Sequence, residues 1–445
     1  MGTEKIWALS VRELSQCIRD GRVSCVEAMR ACLARYAARE PEVQAWEHVD
    51  AEHAMARAEA ADARLKRGSA PEPLLGVPLA IKDIIDVAGM PTRMGSGIMA
   101  GSNAARVSAE CVERLEAAGA IVVGKTVTTE FAYYTPGKTR NPWNSAHTPG
   151  GSSSGSAAAV ACGMVPAALG TQTNGSVVRP AAFCGVVGYK PSFGTVSNRG
   201  TLDPWPTLDH TGAFARSVDD VALVASVMVV PGVDIGAARA RGTAPRLVAL
   251  RSPVWDLAEH SQKQSLAECS DRLQAAGASL AQQELPALFD EAHAAMHTIM
   301  AYEAGAYFRK LRQARGGDMS AQLLVLIDEG LGTGEAKYRA ALTLQQHLRD
   351  EFARYVAPYD AVITPPAPGE APATRSETGK PAFCTIWSLL GVPAITIPVG
   401  RGPSGLPLGL QLVGPYRGDA SLLKTAAWCE SQFDFRGIVD TEGRQ

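Results

Sequence analysis

Three short patterns in this chain are of types that carry chemistry, and each fails on its surroundings. Gly119-Ala-Ile-Val-Val-Gly-Lys125-Thr126 has the spacing of a phosphate loop, in which backbone N–H groups and a lysine cradle a nucleotide. Such a loop follows a strand and opens a helix. Here the middle residues read as the strand itself and a helix precedes them, so no nucleotide site is expected. Gly151-Ser-Ser-Ser-Gly155 fits a nucleophile elbow centred on Ser153, but the segment from Asn144 to Gly150 reads as a loop rather than a strand. The last histidine, His347, also lies far from the C-terminal segment where that fold places its base. Nor does the run read as a flexible linker, because it enters the apolar helix at Ala157 to Ala161 directly. His293 and His297 are four apart on an expected helix but lack the glutamate of a metalloprotease helix, so no metal site is expected.

Three other segments say more together than apart: Gly76-Val-Pro-Leu-Ala-Ile-Lys82-Asp83, Gly150-Gly-Ser152-Ser-Ser-Gly-Ser156, and Gly170-Thr-Gln-Thr-Asn-Gly-Ser176-Val-Val-Arg179-Pro-Ala-Ala-Phe-Cys-Gly185. In these blocks the chain resembles the amidase signature family, and the resemblance continues through Val187 to Pro191 and Leu406 to Val413. Carried over position by position, it implies Ser176 as nucleophile, Ser152 on a cis peptide after Gly151 as bridging hydroxyl, and Lys82 as base. It also implies an enzyme that cleaves C–N bonds other than peptide bonds in small-molecule amides or carbamates (urethanes), with esters as a further class, and that needs no cofactor. A second reading is the glutaminase subunit of a tRNA-dependent amidotransferase, which requires partner subunits. The stretch from Tyr133 to Lys138 and the pair Gln172/Val178 depart from what that subunit leads one to expect. A catalytically silent scaffold is a third reading, and it predicts loss of at least one of the three reactive residues, all of which are present.

Elementary chemistry agrees with these roles. An amide carbonyl is a poor electrophile, so the attacking hydroxyl must lose its proton to a nearby acceptor. A buried lysine serves, because desolvation disfavours its ammonium and frees the amine near neutral pH. Backbone N–H groups of Thr173, Asn174, Gly175 and Ser176 are expected to converge on the oxyanion. Asn174 stands where the family usually has glycine, and a left-handed backbone is expected there. Arg179 falls three residues after the nucleophile, as in the malonamidase-like members. That placement suits a bidentate hold on a substrate carboxylate, with a structural salt bridge as the alternative. Tyr133, Tyr134, Trp205 and Trp387 lie in segments resembling the family's pocket loops and are expected to wall the site.

The elements that must position these residues read as a single α/β/α domain over 1–445, with a central mixed sheet covered by helices. Helices fill 1–70, where Ser10 and Ser24 each stand three residues before a glutamate and Gly21 separates the two turns. After a break around Gly68 to Pro73, strands are expected at 76–81, 120–123, 278–280, 361–364, 394–398 and 408–413. Residues 230–350 read as a helical lobe or cover. The balance of 43 basic and 45 acidic residues, without a basic run, speaks against nucleic acid as a partner. No apolar run suits a membrane span and no leader is evident, so a cytoplasmic protein is expected. Monomer and homodimer are both open. The nine cysteines, with no paired spacing, read as reduced core residues, as with Cys162, Cys184 and Cys384.

Overall fold

A computed structural model describes residues 3–68, 72–236, 242–435 and 438–439. Residues 69–71 of the expected break and 237–241 of the expected lobe lie outside the described residues. At the N-terminal end both capping boxes form: Ser10 and Ser24 accept from the N–H of Glu13 and Glu27, whose carboxylates reach back to the cap N–H. In chain order the elements are α1 (Val11–Arg19), α2 (Cys25–Val43), β1 (Trp46–Val49), α3 (Ala51–Lys66), β2 (Pro78–Lys82), α4 (Glu110–Ala117), β3 (Ile121–Thr126), α5 (Ser154–Ala161), β4 (Ala167–Gln172), α6 (Val178–Cys184), β5 (Val187–Lys190) and β6 (His210–Ala215). There follow α7 (Val218–Met228), β7 (Arg246–Arg251), α8 (His260–Ala275), β8 (Ser279–Glu284), α9 (Ala292–Arg315), α10 (Ala321–Gly332), α11 (Glu335–Val356), β9 (Ala361–Thr364), α12 (Ala382–Leu389), β10 (Ala394–Arg401), β11 (Pro407–Val413) and α13 (Asp419–Glu430).

The strands form one mixed sheet in the order β1-β3-β2-β4-β6-β5-β10-β11-β9-β7-β8. Strands β3, β2 and β4 run parallel, as do β8, β7 and β9, while the pairings between these groups are antiparallel. Alternation along the strands feeds two cores. Leu79, Ile81, Val122 and Leu169 join the cluster under α4, α7 and α9, whereas Ala80, Val123, Ala168 and Phe214 join the one under α2, α3 and α5. The expected α/β/α layering is therefore present. The strand β1 inside the N-terminal helical stretch was not expected, nor was β7. With β8, the strand β7 extends the sheet, so residues 230–350 supply sheet edge as well as the helices α9 to α11.

The Gly-Gly-Ser-Ser-Ser-Gly run is neither linker nor elbow. It leads into α5, all eight of whose residues are buried. Ser153 Oγ donates to the carbonyl of Thr171 (3.2 Å), and Ser156 Oγ donates to that of Leu169 (2.7 Å). Small side chains let α5 sit almost on the sheet: a Cβ at Gly155 would lie 2.2 Å from the carbonyl oxygen of Ala45 and 2.5 Å from the backbone nitrogen of Val127. The phosphate-loop look-alike is likewise structural, since α4 precedes it and residues 121–126 are strand β3. Gly155→Ala should force backbone apart and destabilise the fold by about 1–3 kcal/mol, read as a lower urea midpoint at unchanged slope.

Candidate active site

Strands β2 and β4 are parallel neighbours, and the crevice lies beyond their carboxyl ends, where open α/β sheets place their ligands. Lys82 closes β2 and is completely buried. Its ammonium nitrogen donates to Ser152 Oγ and to Thr171 Oγ1, each at 2.7 Å. Burial pushes its pKa down to about 7, against a smaller upward pull from Asp209. The peptide from Gly151 to Ser152 is cis, as the resemblance implied. Ser176 sits in the turn between β4 and α6 and lines the same crevice as Ser152, Thr173, Asn174, Gly175 and Arg179. Among the described residues no hydrogen bond joins the hydroxyls of Ser176 and Ser152.

The turn carrying Ser176 is held from both sides. Gln172 Oε1 accepts from the N–H groups of Val177 (2.8 Å) and Val178 (2.9 Å), satisfying the start of α6, while its Nε2 donates to Ser388 Oγ (3.0 Å) on α12. Ser388 in turn donates to the carbonyl of Asn174. Among the described residues no acceptor takes the backbone N–H of Asn174, Gly175 or Ser176, which leaves these donors available to an oxyanion. Asn174 does not adopt the expected left-handed backbone. The loop is fixed instead by side chains, including Thr385 Oγ1, which donates to Asn174 Oδ1 (2.8 Å).

Arg179 is buried and makes no salt bridge among the described residues, contrary to the structural alternative. Its Nη2 donates to the carbonyl of Gly151 (2.8 Å) and to Thr378 Oγ1 (3.1 Å). Nε and Nη1 are buried without an acceptor, and Nη1 lies against Gly175, where a Cβ would come within 3.3 Å of it. Protein thus occupies part of the expected fork, and Nη1 is the donor left next to the Ser176 turn.

Of the four aromatic residues expected to wall the site, two do so. Tyr133 and Tyr134 line the crevice. Trp205 is a core residue whose indole N–H donates to the carbonyl of Met300 (3.0 Å) and whose ring backs Tyr133. Trp387 is buried against Phe352 on α11. Sequence reasoning missed Thr171, Asp209, Met300 and Thr378 as site residues. For Thr171 its place inside the block Gly170 to Gly185 was an available signal; for the others spacing carries none.

The inner crevice is narrow, about 20 Å³, and is shared at Tyr133, Tyr134, Asn174, Met300 and Pro381 with an outer chamber of about 310 Å³. His293 and His297 line that chamber. His293 Nε2 bonds the carbonyl of Ala382 and His297 pairs with Glu329, and no cluster of metal ligands occurs among the described residues. A roomier cavity of about 680 Å³ lies by α8 and β10, but it holds none of the buried reactive groups.

A buried amine of depressed basicity bonded to one serine, with a second serine and unpaired N–H donors at the same crevice, has the parts for acyl transfer to a hydroxyl. Comparison with known proteins agrees at the level of family: the Amidase family matches residues 27–423, and the chain belongs to it. It is 36% identical over 469 residues to a glutamyl-tRNA(Gln) amidotransferase subunit from Symbiobacterium thermophilum, covering 94% of this chain and 95% of that one. The subunit of the same name from Chloroflexus aggregans is 33% identical with 94% of both chains covered. Among solved structures, one described as a vestigial protein complex bearing on the origins of an s-triazine catabolic enzyme superposes with a TM-score of 0.87 at 30% identity, over 96% of this chain and all of that one. The peptide amidase of Stenotrophomonas maltophilia gives 0.83 at 29% identity, over 95% and 96%. The chain is thus an amide C–N hydrolase of this family. The malonamidase-like placement suggested by Arg179 finds no support among these relatives, and no helix among the described residues is long and apolar enough to cross a membrane.

Ser176→Ala is expected to lower turnover of any amide the enzyme accepts by roughly 10⁴-fold or more, with an unchanged melting temperature. Because Lys82 must be neutral to accept a proton, kcat/KM should rise with pH through a limb near 7 and level off above it. Replacing Lys82 with Met should remove that limb along with most of the activity.

Proposed function

We propose that the chain hydrolyses a small carboxamide bearing a carboxylate, through an acyl-enzyme on Ser176. The observation that carries this reading is the buried guanidinium of Arg179, with Nη1 unpaired beside the turn that holds Ser176. A buried cation without a counter-ion is costly, and a substrate carboxylate offsets that cost on binding. In this reading neutral Lys82 draws the proton of Ser152 as Ser152 takes that of Ser176. Ser176 Oγ attacks the carbonyl carbon, and the oxyanion meets the free N–H groups of Asn174 to Ser176. The proton returns through the same hydroxyl to the departing nitrogen, and water then releases the acid. Tyr133 and Tyr134 stand at the junction of crevice and outer chamber, where they set the width available to the substrate. No metal or organic cofactor enters any step.

A second reading is the glutaminase role in a tRNA-dependent amidotransferase, with partner subunits. The names of the curated relatives favour it over a free-standing amidase, and nothing favours carbamates over other amides. Both readings use the same triad, and both suit a substrate with a carboxylate. They differ in whether the chain works alone.

The test is hydrolysis by the purified chain of glutamine, ω-carboxy amides, neutral primary amides, p-nitroanilides and aryl carbamates, with Ser176→Ala as blank. Turnover of carboxylated amides by the chain alone, with KM raised about 10- to 100-fold in Arg179→Gln and neutral amides affected far less, supports the first reading. Equal effects on neutral amides would defeat the role of Arg179. Ammonia release from glutamine only when amidotransferase partner subunits are added would establish the second reading.

A further inference from the structure

Asp209 is among the buried groups that the mechanism leaves unused. Asp209 stands just before β6, and the register Gln172↔His210 brings it opposite Thr173 in the turn that leads to Ser176. Thr173 Oγ1 donates to Asp209 Oδ1, and the backbone N–H of Asp209 is tied to the carbonyl of Trp205 (2.8 Å). Two residues back along the chain from Thr173, Thr171 Oγ1 accepts from Lys82. Asp209 is also the acidic side chain that holds the basicity of Lys82 up against burial, through space rather than by an ion-pair contact.

We propose, resting on the acyl-enzyme reading above, that Asp209 is a positioning residue with two linked tasks: it anchors the Ser176 turn through Thr173 and supplies the counter-charge for the ammonium that forms on Lys82. When the proton of Ser176 reaches Lys82 by way of Ser152, a cation appears on a side chain that is completely buried. A fixed carboxylate in the same dry region stabilises it, whereas solvent cannot.

The surroundings of Asp209 tune this effect. Burial raises its carboxyl well above the usual range, the Thr173 bond pulls it down, repulsion from Asp203 raises it further, and the charge of Lys82 lowers it. Asp203 has Oδ1 buried without a partner. From α9, Glu303 is bonded by Thr207 and Tyr338 and repels Asp203, while Tyr307, pushed up by burial and by both aspartates, stays uncharged. Removing the charge of Asp209 should therefore make Lys82 less basic, and removing that of Asp203 should let Asp209 ionise more readily and make Lys82 more basic.

These opposite signs define the experiment. The rate of Ser176 sulfonylation by phenylmethanesulfonyl fluoride, followed by intact mass from acid to mildly alkaline pH, reports nucleophile activation without a known substrate. In Asp209→Asn the plateau should fall and the acid limb move down by about one pH unit; in Asp203→Asn the limb should move up. A uniform fall in rate, with the limbs of both variants coinciding with that of the unsubstituted chain, would overturn the proposal, because that is the signature of a merely structural anchor. Should Asp209→Asn not fold, Asp203→Asn decides alone: an upward shift supports the proposal and a coincident limb overturns it. Absence of any Ser176 adduct on the unsubstituted chain would overturn the acyl-enzyme reading itself.

Discussion

The site depends on a lysine kept out of water. In solvent an amine of ordinary basicity is almost wholly protonated at neutral pH and cannot accept a proton from serine. Lys82 is placed at a strand end under α5, where it has hydroxyls for company and no carboxylate in contact, and burial does the rest. Lys125, on the adjacent strand β3, is the instructive contrast. It is equally buried but sits 3.0 Å from Asp83, so its charge is matched in place. Two lysines on adjacent strands thus differ, one being half of an internal ion pair and the other the base of the proposed reaction, set by what lies next to each nitrogen.

That dryness has a structural source. Helix α5 seats so closely on β3 and β4 because Gly155, Ser156 and four alanines present almost no bulk, and the serine hydroxyls at and before its first turn are spent on carbonyls of the chain beneath rather than on water. The stretch that looks most flexible by composition is consequently among the most immobilised. The turn before α6 is fixed just as firmly by Gln172, Ser388 and Thr385, so the unpaired N–H groups at Ser176 are aimed by side chains drawn from distant parts of the chain.

How much of this was legible follows from where the information resides. The helix caps at Ser10 and Ser24, the glycine-terminated helices and the strands at 361–364 and 408–413 are local signals and came through. That Lys82, Ser152 and Ser176 come together was legible because three ordered blocks coincide, although no single block suffices. Strands β5 and β6 were missed because Val187–Lys190 is short and His210–Ala215 is rich in small and polar residues, and both are made strands by their neighbours. Trp205 and Trp387 were assigned to the pocket on residue type, and the packing around Met300 and Phe352 claimed them for the core. The left-handed backbone expected at Asn174 rested on a residue preference, which bonds from α12 override. Asp209 has no motif of its own; only strand register gives it meaning.

One further consequence concerns the thiols. All nine cysteines are free and buried, distributed from α1 to α13 and over both faces of the sheet. In the folded chain, therefore, a thiol-directed alkylating reagent has nothing to reach, and each cysteine becomes a timer for the opening of its own neighbourhood. Labelling resolved by peptide would rank the layers of the protein by how readily they breathe, and since the reactive groups of the site are hydroxyl and amine, a fully alkylated chain could lose its activity only by having come apart first.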